Sequence, residues 1–317
     1  MYKVIAALIV VTVLVVGIGQ SGKNGRSYVA GRFMFILDGA SNGFLKQVDG
    51  GGIKAEVISE VPQGAVTKKH ISNVKYEDIT VRIGVSQSKA IYDWISASWS
   101  GKAVRKNGSI IAADFDYDAL SQRDFVNALI TETGIPACDG SSKEPAYLTV
   151  KFTPETLKSV KAGGKIDPPP VSKQKNWLPS NFRLTIDGLD CTKVSKIDSF
   201  TIKQAIIRGD PREPALTPGP LELPTMRITL SQSSAQTWYD YFEDFVIKGN
   251  AGDNNEKKGT LEFLGPDLKA VLAQISFSNL GIFSLVPDDG EANSDNAGRV
   301  TAELYCESMA IKLVATP

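Results

Sequence analysis

The chain has 317 residues, with 35 Lys plus Arg, 35 Asp plus Glu and a single histidine, His70. Balanced charge provides no overall basic field for nucleic acid, and one histidine excludes triad chemistry and multi-histidine metal sites. Three distant cysteines (Cys138, Cys191, Cys306) without C-x-x-C spacing exclude a zinc ribbon and a dense disulfide framework.

The first predicted element is a leader. "VLVVGIGQSGKN" fits G-x-G-x-x-G through Gly17, Gly19 and Gly22, and G-x-x-x-x-G-K through Gly17, Gly22 and Lys23. Asn24 stands where a phosphate loop needs a magnesium-binding hydroxyl, and residues 23–32 show no apolar helical face to follow the glycines. Without that helix no dipole end faces a phosphate. Lys3 followed by the low-polarity run 4–18, broken only by Thr12, reads instead as a secretory signal peptide. As a helix it spans roughly 22 Å, short of the ~30 Å hydrocarbon core, which favours a cleaved signal over an uncleaved anchor, with a buried strand and phosphate loop as the third reading. Residues 1–25 are assigned to this segment; cleavage near Gln20 would remove Lys3 alone and leave 34 basic against 35 acidic residues, a net charge of −1. An odd number of cysteines would then leave at least one thiol unpaired in an exported protein.

Residues 26–162 read as one β-rich domain. The alternating stretch "FMFILDG" ends in the turn signal Asp38-Gly39, and strands are expected at Ile53 to Ile58 and, with Ile79, Val81 and Ile83 on one face, at Ile79 to Val85. Between them His70, in the polar "TKKHISN", reads as a solvated loop residue rather than a catalytic base. A helix follows, with Ile91, Trp94 and Ile95 on one face and Ser86 or Ser88 as its cap. Asn107-Gly108 in "RKNGSIIAADF" predicts a type I′ hairpin. Asp114, Asp116 and Asp118 imitate half a calcium loop, but Ala119 and Phe125 occupy its glycine and glutamate positions, so they read as acids on an outer face. Final strands are expected near Leu129 and at Leu148 to Phe152.

Residues 163–181, with Pro168-Pro169-Pro170, form a stiff linker. Residues 182–317 then repeat the plan. At a shift of 147, "ITVRIGVSQSKAIYDWI" lies over "MRITLSQSSAQTWYDYF", Ile53 over Phe200, and Gly134-Ile135 over Gly281-Ile282; "FMFILDG" meets "FRLTIDG" at 149 and "LTVKFTPETL" meets "VTAELYCESM" at 152. A unit of this length is a tandem domain, too long for a solenoid repeat. In this copy Trp238, Tyr241, Phe242 and Phe245 share a helix face, with Ser233 or Ser234 as the cap. The proline-rich "DPREPALTPGPLELP" reads as a projecting loop because proline cannot donate to a ladder. Further strands are expected at Leu272 to Phe277 and Val300 to Cys306, joined through the acidic "PDDGEANSDNAG", which reads as a solvated hairpin loop ahead of a weak calcium site. Trp94, Trp99, Trp238 and Tyr241 read as core residues ahead of a sugar or base platform.

The segment "KYEDITVRIGVSQSKAIYDWISASWSGKAVRKNGSIIAADFDY" resembles the tail tube protein family of contractile phages and related injection systems. The likeness rests on Lys75, Tyr76, Ile79, Thr80 and Val81, then Tyr92-Asp93-Trp94, then Arg105-Lys106-Asn107-Gly108. It extends from about Phe33 to Phe152 and more loosely into the second copy, where "GNAGDNNEKKG" replaces the R-K-N-G stretch. The resemblance implies a mainly β (α+β) fold, two tandem copies of a small barrel or sandwich with one flanking helix each. It also implies a structural subunit whose partners are further copies of itself, in stacked rings, and sheath-like or baseplate-like proteins. A fused pair needs only three chains for six domains. The same reading assigns no catalytic, cofactor-binding or metal residues, no cofactor and no sequence-specific nucleic-acid contact. Membrane contact is expected only through residues 1–25, which make the protein exported or membrane-associated if they work as a signal and otherwise leave it to assemble in the cytoplasm. The alternative is an exported β-rich binding module that does not assemble.

Overall fold

The computed structural model describes residues 31–60, 67–85, 87–102, 104–167, 177–209, 215–288 and 298–314. Residues 1–25, the triproline and most of the acidic stretch therefore lie outside the described residues. Strands dominate, with two α-helices, as expected for a mainly β (α+β) protein.

The first half opens with β1 (Arg32–Leu37) and β2 (Ala40–Leu45), joined at Asp38-Gly39 with φ of 47° and 82°. Two consecutive left-handed residues make the primed turn that matches strand twist. Then come β3 (Gln47–Gly50), β4 (Ile53–Glu60), β5 (Lys68–Tyr76), β6 (Ile79–Ile83), α1 (Lys89–Trp99), β7 (Lys106–Ala113), β8 (Ala119–Ile135), β9 (Cys138–Asp139), β10 (Leu148–Thr153) and β11 (Thr156–Val160). In space the order is β2-β1-β7-β8-β10-β6-β3, with β11 also on β8.

The second half runs β12 (Phe182–Ile186), β13 (Val194–Ile197), β14 (Phe200–Arg208), β15 (Leu216–Glu222), β16 (Met226–Ser231), α2 (Gln236–Phe242), a π-helical turn (Glu243–Ile247), β17 (Lys257–Leu264), β18 (Val271–Pro287) and β19 (Arg299–Leu313). Its order, β12-β17-β18-β19-β16-β13, is that of β1-β7-β8-β10-β6-β3. Registers correspond as well. Ile79 faces Phe152 as Met226 faces Leu304, and Gly108 faces Phe125 as Gly259 faces Phe277. Both long central strands carry a left-handed asparagine, Asn127 (φ 52°) and Asn279 (φ 57°).

Two of the expected pairings are corrected by these registers. Lys54 faces Lys75 as Lys203 faces Glu222, so Ile53 takes the place of Ile202 rather than Phe200. Thr149 faces both Gly134 and Arg82, while Thr301 faces Val286 and Thr229, so Gly134 corresponds to Val286 rather than Gly281. The offset changes along each half, from 149 at β1 and β4 to 147 at β6 and 152 at β8, because connection lengths differ, which a single ungapped shift cannot follow.

One apolar core runs through both halves. It is built by alternation, Ile79, Val81 and Ile83 in β6 and Met226, Ile228 and Leu230 in β16 being buried. The helices lay their aromatic stripes on it, and Trp94 and Phe152 lie 5.5 Å apart between ring centroids. Buried indoles need an acceptor. Trp94 donates to the Val104 carbonyl and Trp238 to that of Asp190, each at 2.9 Å.

Four local expectations are also corrected. Asn107-Gly108 lies within β7, because a Cβ on Gly108 would meet the Ile36 carbonyl oxygen at 2.2 Å and Phe125 at 2.5 Å; the glycine serves close strand approach. Ser88 precedes α1 but its hydroxyl bonds the Asn42 side chain, and Ser234 bonds the Ser231 carbonyl, so neither caps a helix with its side chain. The proline-rich connection contains β15, which among the described residues pairs only with β14; Pro218 and Pro220 are tolerated because it is an edge. His70 is exposed as expected, but on β5, opposite Ile58.

Candidate assembly interface

The most developed polar and apolar contacts between the halves come from backbone addition. Strand β14 leaves the second half and pairs antiparallel with β8 of the first, Phe200 with Ile135, Thr201 with Gly134, Ile202 with Thr133 and Lys203 with Glu132. Strand β7 accompanies β8 only as far as Ala128, so the last turn of β8 presents an open edge that β14 fills. In return β9 of the first half pairs with β13, Ile197 with Cys138 and Lys196 with Asp139.

Side chains reinforce the seam. Glu155 Oε1 accepts the Leu216 N–H at 3.1 Å and Arg105 Nε at 3.3 Å, while Arg105 also donates to the Leu216 carbonyl. Burial works against ionisation of Glu155, but bonds from Asn127, Leu216 and Arg105 outweigh it and hold its pKa below the usual value. Lys151 donates to Glu132 at 3.0 Å, a bond that raises the lysine pKa. Arg208 lies 3.5 Å from Asp78. An open cleft of about 470 Å³ follows the seam, with the acids Asp78 and Glu132 and the bases Lys203 and Arg208 in its wall. Helix α1 lies against β19 of the other half. Ile166 packs with Met34, Ile111 and Ala113, and Trp177 meets Phe263 edge-on at 4.7 Å.

The residues weighed for chemistry are dispersed. Asp114 Oδ1 accepts the N–H groups of Asp116 and Asp118, both at 2.9 Å, and so shapes the turn between β7 and β8. Among the described residues no group of three or more His, Cys, Asp or Glu side chains is placed to hold a metal ion. Trp94, Trp99, Trp238 and Tyr241 are buried in the core and form no exposed platform. The cysteines are free thiols: burial raises the pKa of Cys138 and Cys306, and that of Cys191 to about 11. No helix among the described residues is long and apolar enough to cross a membrane.

Sequence reasoning missed the seam, since strand addition is made by main-chain groups that every residue carries. One signal was present. Ile202 and Ile206 are apolar positions in a hairpin that finds no sheet in its own half.

These features define a mainly β protein whose two halves are joined by strand pairing, β14 on β8 and β9 on β13. Residues 29–158 match the family model described as T4-like virus tail tube protein gp19. The chain is also similar to a protein in the sheath-tube complex of the PVC extracellular contractile injection system, at 19% identity over 41% of this chain and 89% of that one, with a TM-score of 0.37. It is similar to a component of the anti-feeding prophage baseplate, at 11% identity over 43% and 91%, TM-score 0.32. A component of the anti-feeding prophage cap is similar at 16% identity over 48% and 95%, TM-score 0.30. No curated protein matches the chain.

Proposed function

We propose that the chain is a non-catalytic subunit of a phage-tail-like tube, built from two fused tail tube modules, 26–162 and 182–317, joined through 163–181. Copies assemble into stacked rings in which three chains supply six modules, and sheath-like or baseplate-like proteins are the further partners. The observation that supports this is the strand-for-strand equivalence of the halves combined with β14 of one completing β8 of the other. A contact between unlike surfaces repeats from unit to unit and closes when its rotation closes. Residues 1–25 act as leader or anchor in this reading.

Particle mass and negative-stain microscopy of the concentrated full chain test it. Rings or tubes whose mass corresponds to three chains per ring are expected; a monomer at every concentration, or six chains per ring, overturns it. The leader-like residues 4–18 favour the second reading, an exported β-rich binding module, which uniformly monomeric particles would select.

A further inference from the structure

The junction between the halves has a counterpart that the chain leaves unused. Hairpin β4–β5 corresponds to β14–β15, yet it pairs with no other strand among the described residues. Its Ile53 is 45% exposed, whereas the equivalent Ile202, seated on β8, is 2% exposed. Val57, Ile58, Ile71 and Val74 of the same hairpin are exposed too.

The receiving edge is equally bare. Strand β17 accompanies β18 as far as Leu280, which corresponds to Ala128, the point where β7 leaves β8. Beyond it β8 receives β14. The matching stretch of β18, residues 284–287, is paired with β19 on one side and, among the described residues, with no strand on the other. Val286 there is 56% exposed.

The helices show the same asymmetry. Tyr92, Ile95 and Trp99 of α1 are buried, with β19 of the other half beside the helix. At their offset of 147 the corresponding residues are Tyr239, Phe242 and Val246; the first two are half-buried and Val246 is exposed. The face that α1 covers with the other half is left open on α2.

We propose that hairpin β4–β5 of one chain adds to the 284–287 edge of β18 in a second copy. Applying the correspondences above to the β14–β8 ladder sets the register: Gly51 opposite Pro287, Gly52 opposite Val286, Ile53 opposite Leu285 and Lys54 opposite Ser284. Pairing Ile53 with Leu285 covers both side chains and brings the main-chain groups of these two residues together, Pro287 having no N–H to add, which is strand addition in its usual form. Lys54 then lies opposite Ser284, with Glu303 on the strand beyond it. A second copy is the occupant because this is the surface the chain already uses on itself. The inference rests on the two-module assembly proposed above and adds the contact that would carry it.

Disulfide trapping tests the register in the full chain. With Cys191→Ser as background, Ile53→Cys plus Leu285→Cys is expected to form intermolecular bonds on oxidation, giving covalent multimers on non-reducing gels. Ile58→Cys plus Leu285→Cys, about 16 Å out of register at ~3.3 Å per residue, should leave at least ~10-fold less multimer. Hydrogen exchange on the unsubstituted chain provides the second measurement, with amides of 52–54 and 284–286 expected to slow by at least ~10-fold between dilute and concentrated protein. Assembly by mass without the in-register bond and without that protection overturns this contact while leaving the assembly reading standing. A chain that stays monomeric overturns both.

Discussion

Glu155 in the first half accepts the backbone N–H of Leu216 in the second at 3.1 Å, and Asn127 donates to its other oxygen at 2.7 Å. Its pKa is held below the ordinary 4.5, so the folded state favours the carboxylate. The contribution is therefore full above about pH 4.5 and is lost as pH falls through the depressed folded value. Glu155→Gln should cost about 1–3 kcal/mol at pH 7, and the gap from the parent chain should narrow at pH 3. Urea unfolding at the two pH values measures this; an equal gap at both would refute the assignment.

Gly108 packs its Cα against the Ile36 carbonyl, and its counterpart Gly259 does so less tightly, with a Cβ there 2.7 Å from the Thr185 oxygen. Gly108→Ala should destabilise by about 1–3 kcal/mol or more, through forced strand separation, and Gly259→Ala by less. Thermal unfolding of both variants orders them.

Ile202 is buried and Ile53 exposed in equivalent hairpins. Ile202→Ala should cost about 2–5 kcal/mol in the dilute chain, and Ile53→Ala close to nothing. In concentrated protein Ile53→Ala should instead weaken association, read by sedimentation. Equal costs in dilute solution would contradict the difference in burial.

Burial lifts the Cys191 thiol to about 11 and pushes Cys138 up as well. At pH 8 only about one Cys191 in a thousand carries the reactive thiolate, so iodoacetamide labelling should be slow in the native chain and reach all three cysteines only on unfolding. Mass spectrometry of timed samples checks the order, with Cys191 ahead of Cys138.

Much of the fold was legible where one periodicity acted alone. Ile79, Val81 and Ile83 announce β6, and the stripe through Ile91, Trp94 and Ile95 announces α1. Legibility ended where backbone geometry overruled residue preference. Asn107-Gly108 carries a turn signature but was chosen for contact with Ile36, and Pro218 and Pro220 sit in a strand because its outer side has no ladder to supply. Polar "SQRDF" in the first turns of β8 hid a 17-residue strand whose residues there are mostly half-buried. The family resemblance through Lys75, Tyr76 and Tyr92-Asp93-Trp94 lies inside residues 29–158, which match the tail tube model. The seam was missed for a different reason, since Ile202 and Ile206 mark a hairpin that needs cover but no side-chain pattern encodes which free edge it will choose.

The ladder of Phe200 to Lys203 against β8 is written in peptide groups, with Thr201 opposite glycine and Lys203 opposite glutamate. Such a coupling is indifferent to most side chains it carries, much as a zip fastener is indifferent to the cloth on either side. The two hairpins share a strand register, Lys54 facing Lys75 as Lys203 faces Glu222, although one carries lysines and the other prolines, so the side chains on such a ladder can change while the peptide joint is kept.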